Sequence, residues 1–62
     1  MPVITIEGSK IDSVDKKRKL VKDITEIASK SYGLPESNIV VLIKENPAEN
    51  IGSGGKLILD SH

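Results

Sequence analysis

The chain has no cysteine, tryptophan or phenylalanine, and only one tyrosine and one histidine among its 62 residues. No disulfide can staple it, and one imidazole rules out a histidine-rich metal cluster. The scarcity of aromatics removes the stacking surfaces on which single-stranded nucleic acid is usually held. Neither sign of charge is in excess, since nine basic and nine acidic residues cancel. Nucleic acid and anionic membrane are therefore not expected as the main partner. No apolar run approaches the ~20 residues that span a bilayer, and no signal-peptide pattern precedes the first apolar stretch. The lack of thiols suits a reducing compartment, so a cytoplasmic location is expected.

Small size adds a constraint. At 6.7 kDa, scaling rules give ~9,700 Å² of surface for the open chain and ~3,900 Å² for a compact fold. If about 60% of the difference is apolar, its burial contributes ~90 kcal/mol. Ordering the chain costs about the same, at ~1.5 kcal/mol per residue. Disulfides and metals being absent, self-association is the remaining source of stability. An oligomer is expected.

What is present is well punctuated, and residues 1–62 read as one domain. Val3, Ile4, Thr5 and Ile6 are mostly β-branched and predict a strand from Val3 to Glu7, broken by Gly8-Ser9-Lys10. Asp12 or Ser13 offers a side-chain oxygen to the free N–H groups of a helix start, and Asp15 adds negative charge there. Val14, Val21, Ile24, Ala28 and Tyr32, with Leu20 and Ile27 alongside, recur at helical spacing and predict a helix from about 14 to 32. Gly33 supplies a left-handed stop, and Pro35 prevents continuation. The unbroken run Ile39-Val40-Val41-Leu42-Ile43 predicts a strand covered on both faces. Strand, helix and strand in that order make a crossover unit with parallel strands. After a loop from Glu45 to Gly55, Lys56-Leu57-Ile58-Leu59 reads as a short closing strand. The fold class is α+β: a single β-α-β unit with a C-terminal β-hairpin. Two strands make no stable sheet, so oligomerisation is expected to complete the parallel pair into a larger one.

Pro2 is the leading chemical candidate. A small second residue favours removal of Met1, which would leave a secondary amine able to take up and release a proton. An α-amino group has a pKa near ~8, and burial or a nearby cation would bring it closer to neutrality, where a general base works best. The structural alternative is that Pro2 merely starts an edge strand, where a missing N–H costs nothing. Lys10 follows the first strand and could bind a substrate carboxylate; its alternative is a solvated loop lysine. Lys16, Lys17, Arg18, Lys19 and Lys22 read as a solvated helix face. Gly52-Ser53-Gly54-Gly55 lacks the spacing and the Lys-Ser or Lys-Thr pair of a phosphate loop, and reads as a tight turn. Asp12, Asp15, Glu45 and Glu49 form no recognisable carboxylate pair. His62, as the terminal residue, is a poor place for the oriented imidazole of a nucleophilic triad and reads as a frayed end.

Order and length together resemble the 4-oxalocrotonate tautomerase family: Met1-Pro2 ahead of a strand, one long helix, an apolar second strand, and the glycine hairpin, in about sixty residues. Pro2 falls on the family's catalytic N-terminal proline, and Gly52-Ser53-Gly54-Gly55 on its Gly-Ile-Gly-Gly hairpin. The resemblance implies β-α-β subunits paired into four-stranded dimers, three of which close a homohexamer. It also implies proton transfer in a small enol or α-keto acid, with Pro2 as general base and with no cofactor or metal. The family's arginines are changed. An ungapped alignment puts Asp12 at the loop arginine, and a small shift puts Lys10 there; Val40 stands at the second-strand arginine. Ile51 replaces the aromatic before the glycine hairpin. The resemblance thus points to Lys10 for carboxylate recognition, Val40 and Ile51 as an apolar wall, and Asn50 as a hydrogen-bonding group. Two alternatives remain: a hydrolytic, dehalogenase-like reaction with protonated Pro2 as acid, and a non-catalytic oligomeric scaffold.

Overall fold

The computed structural model describes residues 1–60, so the reading of His62 lies outside the described residues. Strand β1 (Val3–Gly8) and strand β2 (Val40–Glu45) flank helix α1 (Val14–Tyr32). A short hairpin of β3 (Gly52–Ser53) and β4 (Lys56–Leu57) follows. Single 3₁₀ turns cover Glu36–Asn38, Ala48–Asn50 and Ile58–Asp60. The α+β class, the β-α-β unit and the C-terminal hairpin are all observed.

Strands β1 and β2 pair in parallel, with Val3 opposite Val40 and Gly8 opposite Glu45. Side chains alternate across a strand, so one face carries Ile4, Ile6, Val41 and Ile43 and the other Val3, Thr5, Val40 and Leu42. The first set is half-buried on the helix side. The second face is open, with Val3 49% and Leu42 45% exposed. Coverage of the second strand on both faces is therefore not met within one chain, because a lone β-α-β unit has one helix and can shield only one face.

Ser13 is the residue that caps α1: its Oγ accepts the N–H of Asp15 at 3.1 Å and of Lys16 at 3.3 Å. Asp12 turns outward to Lys16 instead, at 3.0 Å. Gly33 ends the helix at φ 67°, the left-handed region that favours glycine. Along the helix, Leu20, Val21, Ile24 and Ala28 form the sheltered stripe, whereas Val14, Ile27 and Tyr32 stay more than half exposed. The final strand is shorter than expected. Only Lys56 and Leu57 pair, and the chain then coils through a 3₁₀ turn.

The described residues bury little: only Ala28 and Ile39 are apolar and fall in the buried class. Surface area is 4879 Å², about 1,000 Å² above that of a compact chain of this mass. The radius of gyration is 14.9 Å, against about 11 Å for a compact domain of this length. The molecule is 43 Å along its longest axis, and every residue of the hairpin from Gly52 to Leu57 is exposed.

Candidate active site

Pro2 sits where β1 begins. Its carbonyl accepts the N–H of Val40 at 3.0 Å, one step beyond the first paired residues of the ladder. The residue is half-buried. Since Val40 is its hydrogen-bond partner, the fold brings those two candidates together.

Lys10, Asn50 and Ile51 lie elsewhere. The six residues of β1 rise ~3.3 Å each, which places Gly8 about 20 Å from Pro2. Lys10 follows Gly8, so its side chain cannot return to Pro2 of the same chain. The loop after β2 leaves from that same distant end, where the Asn46 N–H donates to the Gly8 carbonyl at 2.9 Å. Asn50 closes the 3₁₀ turn, its N–H donating to the Pro47 carbonyl at 2.8 Å, and Ile51 follows half-buried. The Ile51 carbonyl accepts from Ile58 N–H at 2.8 Å, tying the hairpin's entry to its exit. At the tip, Gly54 and Gly55 have φ of 61° and 83°, the pair of positive values that a two-residue hairpin turn requires. This is a tight turn, as the sequence predicts.

The electrostatics contain a feature the sequence does not announce. The Glu45 carboxylate, at the end of β2, accepts the Ile11 N–H at 2.6 Å and the Lys17 ammonium at 2.7 Å. The hydrogen bond from Lys17 holds its carboxyl below the usual carboxylate range, followed by that from Ile11; the charges of Lys17 and Lys10 add to it. The Lys17 and Glu45 side chains are 30% and 25% exposed, whereas those in the other ion pairs are 49–87% exposed. Lys17 thus departs from the solvated face expected for the basic stretch. The other pairs in that stretch are Lys16–Asp12, Arg18–Asp15 and Lys19–Asp23, local contacts on the solvent side of the helix. Glu45 and Lys17 are 28 positions apart, and no motif spacing links them. Only the parallel ladder and the returning helix make them neighbours.

A shallow groove lined by Val14, Lys17, Arg18, Val21 and Lys22 runs along α1 and includes none of the candidates for chemistry. Among the described residues no group of histidine, aspartate and glutamate side chains could hold a metal ion. No described helix is long and apolar enough to cross a membrane.

Comparison with known proteins agrees with this architecture. Residues 2–61 match the model of the tautomerase enzyme family. A probable tautomerase of Listeria monocytogenes is 36% identical over 55 residues, 89% of this chain and 90% of that one. The 2-hydroxymuconate tautomerase of Bacillus subtilis is 32% identical over 60 residues, 97% of each chain. The crystal structure of DmpI from Archaeoglobus fulgidus aligns with a TM-score of 0.83 at 51% identity, covering 95% of this chain and 100% of that one. With the family model spanning residues 2–61 and relatives above 30% identity covering nearly the whole chain, the chain belongs to the tautomerase family.

Proposed function

We propose that the protein is an oligomeric tautomerase whose mature chain starts at Pro2, with the proline nitrogen as general base and then general acid. The observation that carries the reading is the placement of Pro2 at the head of β1 in a chain whose family match begins at that residue. Its carbonyl is fixed by Val40, so removal of Met1 would leave the nitrogen as the free end of a held residue.

In the proposed reaction the neutral nitrogen takes the hydroxyl proton of an enol, or an acidic proton α to the carbonyl of a keto acid, leaving a conjugated enolate. The protonated nitrogen then returns that proton to a different atom of the conjugated system, a carbon in the case of the enol. One proton moves, no electrons are gained or lost, and no cofactor is consumed. Lys10 from a neighbouring subunit would pair with the substrate carboxylate, and its charge would favour the neutral amine. Val40 and Ile51 would form the apolar wall, and Asn50 would hydrogen-bond the substrate. Lysine lacks the planar fork with which arginine grips a carboxylate in bidentate fashion, so the natural substrate is a small enol or α-keto acid bearing fewer carboxylates than 2-hydroxymuconate. Because Lys10, Asn50 and Ile51 lie at the end of the chain remote from Pro2, the pocket needs at least two subunits. A homohexamer, three dimers joined, would bring the two ends together and cover the open sheet face.

The test is proton transfer on 2-hydroxymuconate and on phenylenolpyruvate, with intact-mass measurement of the same preparation. Native protein should lack Met1, and Pro2→Ala should lose about 10²- to 10⁴-fold in rate, the usual worth of a positioned base. Equal rates in both, or full activity with Met1 retained, would remove Pro2 from the mechanism. A base requires the proline neutral, so activity should rise with pH through its pKa. The opposite slope would indicate the acid role of a dehalogenase-like enzyme.

A further inference from the structure

We propose that Glu45 is a positioning residue, which fixes the loop carrying Lys10 so that the ammonium meets the substrate carboxylate in the neighbouring subunit's pocket. The inference rests on the preceding reading of Lys10 and adds a role for a residue outside the pocket. The loop between β1 and α1 has no regular structure of its own from Lys10 to Ser13. Its attachment to the sheet comes from Glu45, which holds the Ile11 N–H at 2.6 Å, one peptide along from Lys10. The second oxygen of the same carboxylate holds Lys17 at 2.7 Å in the first turns of α1. One rigid strand end thus grips the loop and the helix that follows it. Glu45 is itself anchored, since β2 pairs with β1 up to Gly8 and the next N–H, from Asn46, bonds to the Gly8 carbonyl.

The arrangement also handles charge. Lys10 and Lys17 both lie close enough to act on the Glu45 carboxyl. Without that carboxylate, two like charges would face one another across a short loop, and the freed Ile11 N–H would have to find water. The loop would then sample many positions, and Lys10 would have to be ordered each time substrate bound, which weakens binding rather than the chemical step.

The experiment is a double-mutant cycle of Glu45→Ala and Lys10→Ala, read on phenylenolpyruvate and on its uncharged methyl ester. Glu45→Ala should raise KM for the anion about fivefold, with kcat and the ester's KM within about twofold of native. Lys10→Ala should raise the anion's KM at least as much, and adding Glu45→Ala to it should bring no further loss. Glu45→Gln retains an oxygen for the Ile11 N–H and loses the charge, so it should fall between native and Glu45→Ala. It also serves as the readable variant should Glu45→Ala fail to fold. Multiplying effects in the double variant, equal KM changes for anion and ester, or native behaviour of both Glu45 variants would overturn the proposal. So would a Lys10→Ala variant with native KM. A Pro2→Ala variant as active as native would instead sink the proline chemistry, while the Glu45–Lys10 coupling would still be read from KM.

Discussion

Leu42→Asp should dissociate the assembly and leave the released chain, which buries almost no core of its own, only marginally folded. Leu42 is 45% exposed on the open face of the sheet, opposite Thr5 and on the same face as Val3 and Val40. Fully burying a leucine contributes about 1.5–3 kcal/mol, so the part still exposed has about 1 kcal/mol to gain per chain on association. An aspartate forfeits that gain and must also shed water from a carboxylate with no cation opposite, which costs several kcal/mol. The combined penalty is about 3–5 kcal/mol per chain, a loss of roughly 10²- to 10³-fold or more in affinity at each contact. Within one chain the same change forfeits the half of the leucine that is already buried, about 1 kcal/mol, which is less than the loss at the contact. Sedimentation velocity over a wide concentration range reads the outcome against the 6.7 kDa mass of a single chain. Native protein should sediment as a multiple of that mass, and Leu42→Asp should shift towards the single chain and lose tautomerase activity, since Pro2 and Lys10 would no longer meet. An unchanged mass for the variant would refute the argument. So would a native protein that is monomeric at micromolar concentration, because the surplus ~1,000 Å² would then have no function in assembly.

Other expectations follow from single contacts. Ser13→Ala removes the acceptor for the Asp15 and Lys16 N–H groups and should lower stability by about 1 kcal/mol in urea unfolding. Gly33→Ala should cost about 1 kcal/mol from its positive φ alone, as no atom lies within 4 Å of the added carbon; Gly33→Asn should cost less. A depressed carboxyl pKa contributes stability above its unfolded value and loses it as pH falls through the folded one. The Glu45 contribution should therefore fade from about pH 4.5 downward, and Glu45→Gln should flatten that part of an unfolding profile taken from pH 6 to 3.

Local signals in the sequence match the structure unevenly, for identifiable reasons. The helix from Val14 to Tyr32 agrees with the structure because a 3.6-residue period, a cap and a glycine stop all act within a few positions of one another. Ser13 and Asp12 could not be ranked in advance, since either oxygen serves; backbone direction at the loop decided for Ser13. The closing strand ends at Leu57 and not Leu59, as no further partner strand exists among the described residues. Val14, Ile27 and Tyr32 match the helical period yet remain exposed, because periodicity records what a residue is suited to touch and not whether the partner is in the same chain.

The amino-acid order alone determined the local elements, their parallel pairing and the proline directly behind Met1, since these depend on dihedral preference, side-chain period and nearest neighbours. It also carries the expectation of an oligomer, because so short a polymer without staples has little core with which to offset its ordering entropy. Tertiary structure alone decided where those elements placed the candidates. It put Pro2 and Val40 at one end of the ladder, and at the other the turn to Lys10 and the start of the loop that leads to Asn50 and Ile51. It joined Glu45 to Ile11 and Lys17 across a gap in sequence that no local rule bridges. Distance in space is set by the register of two strands and the path of the helix between them, and that is a property of the folded chain as a whole.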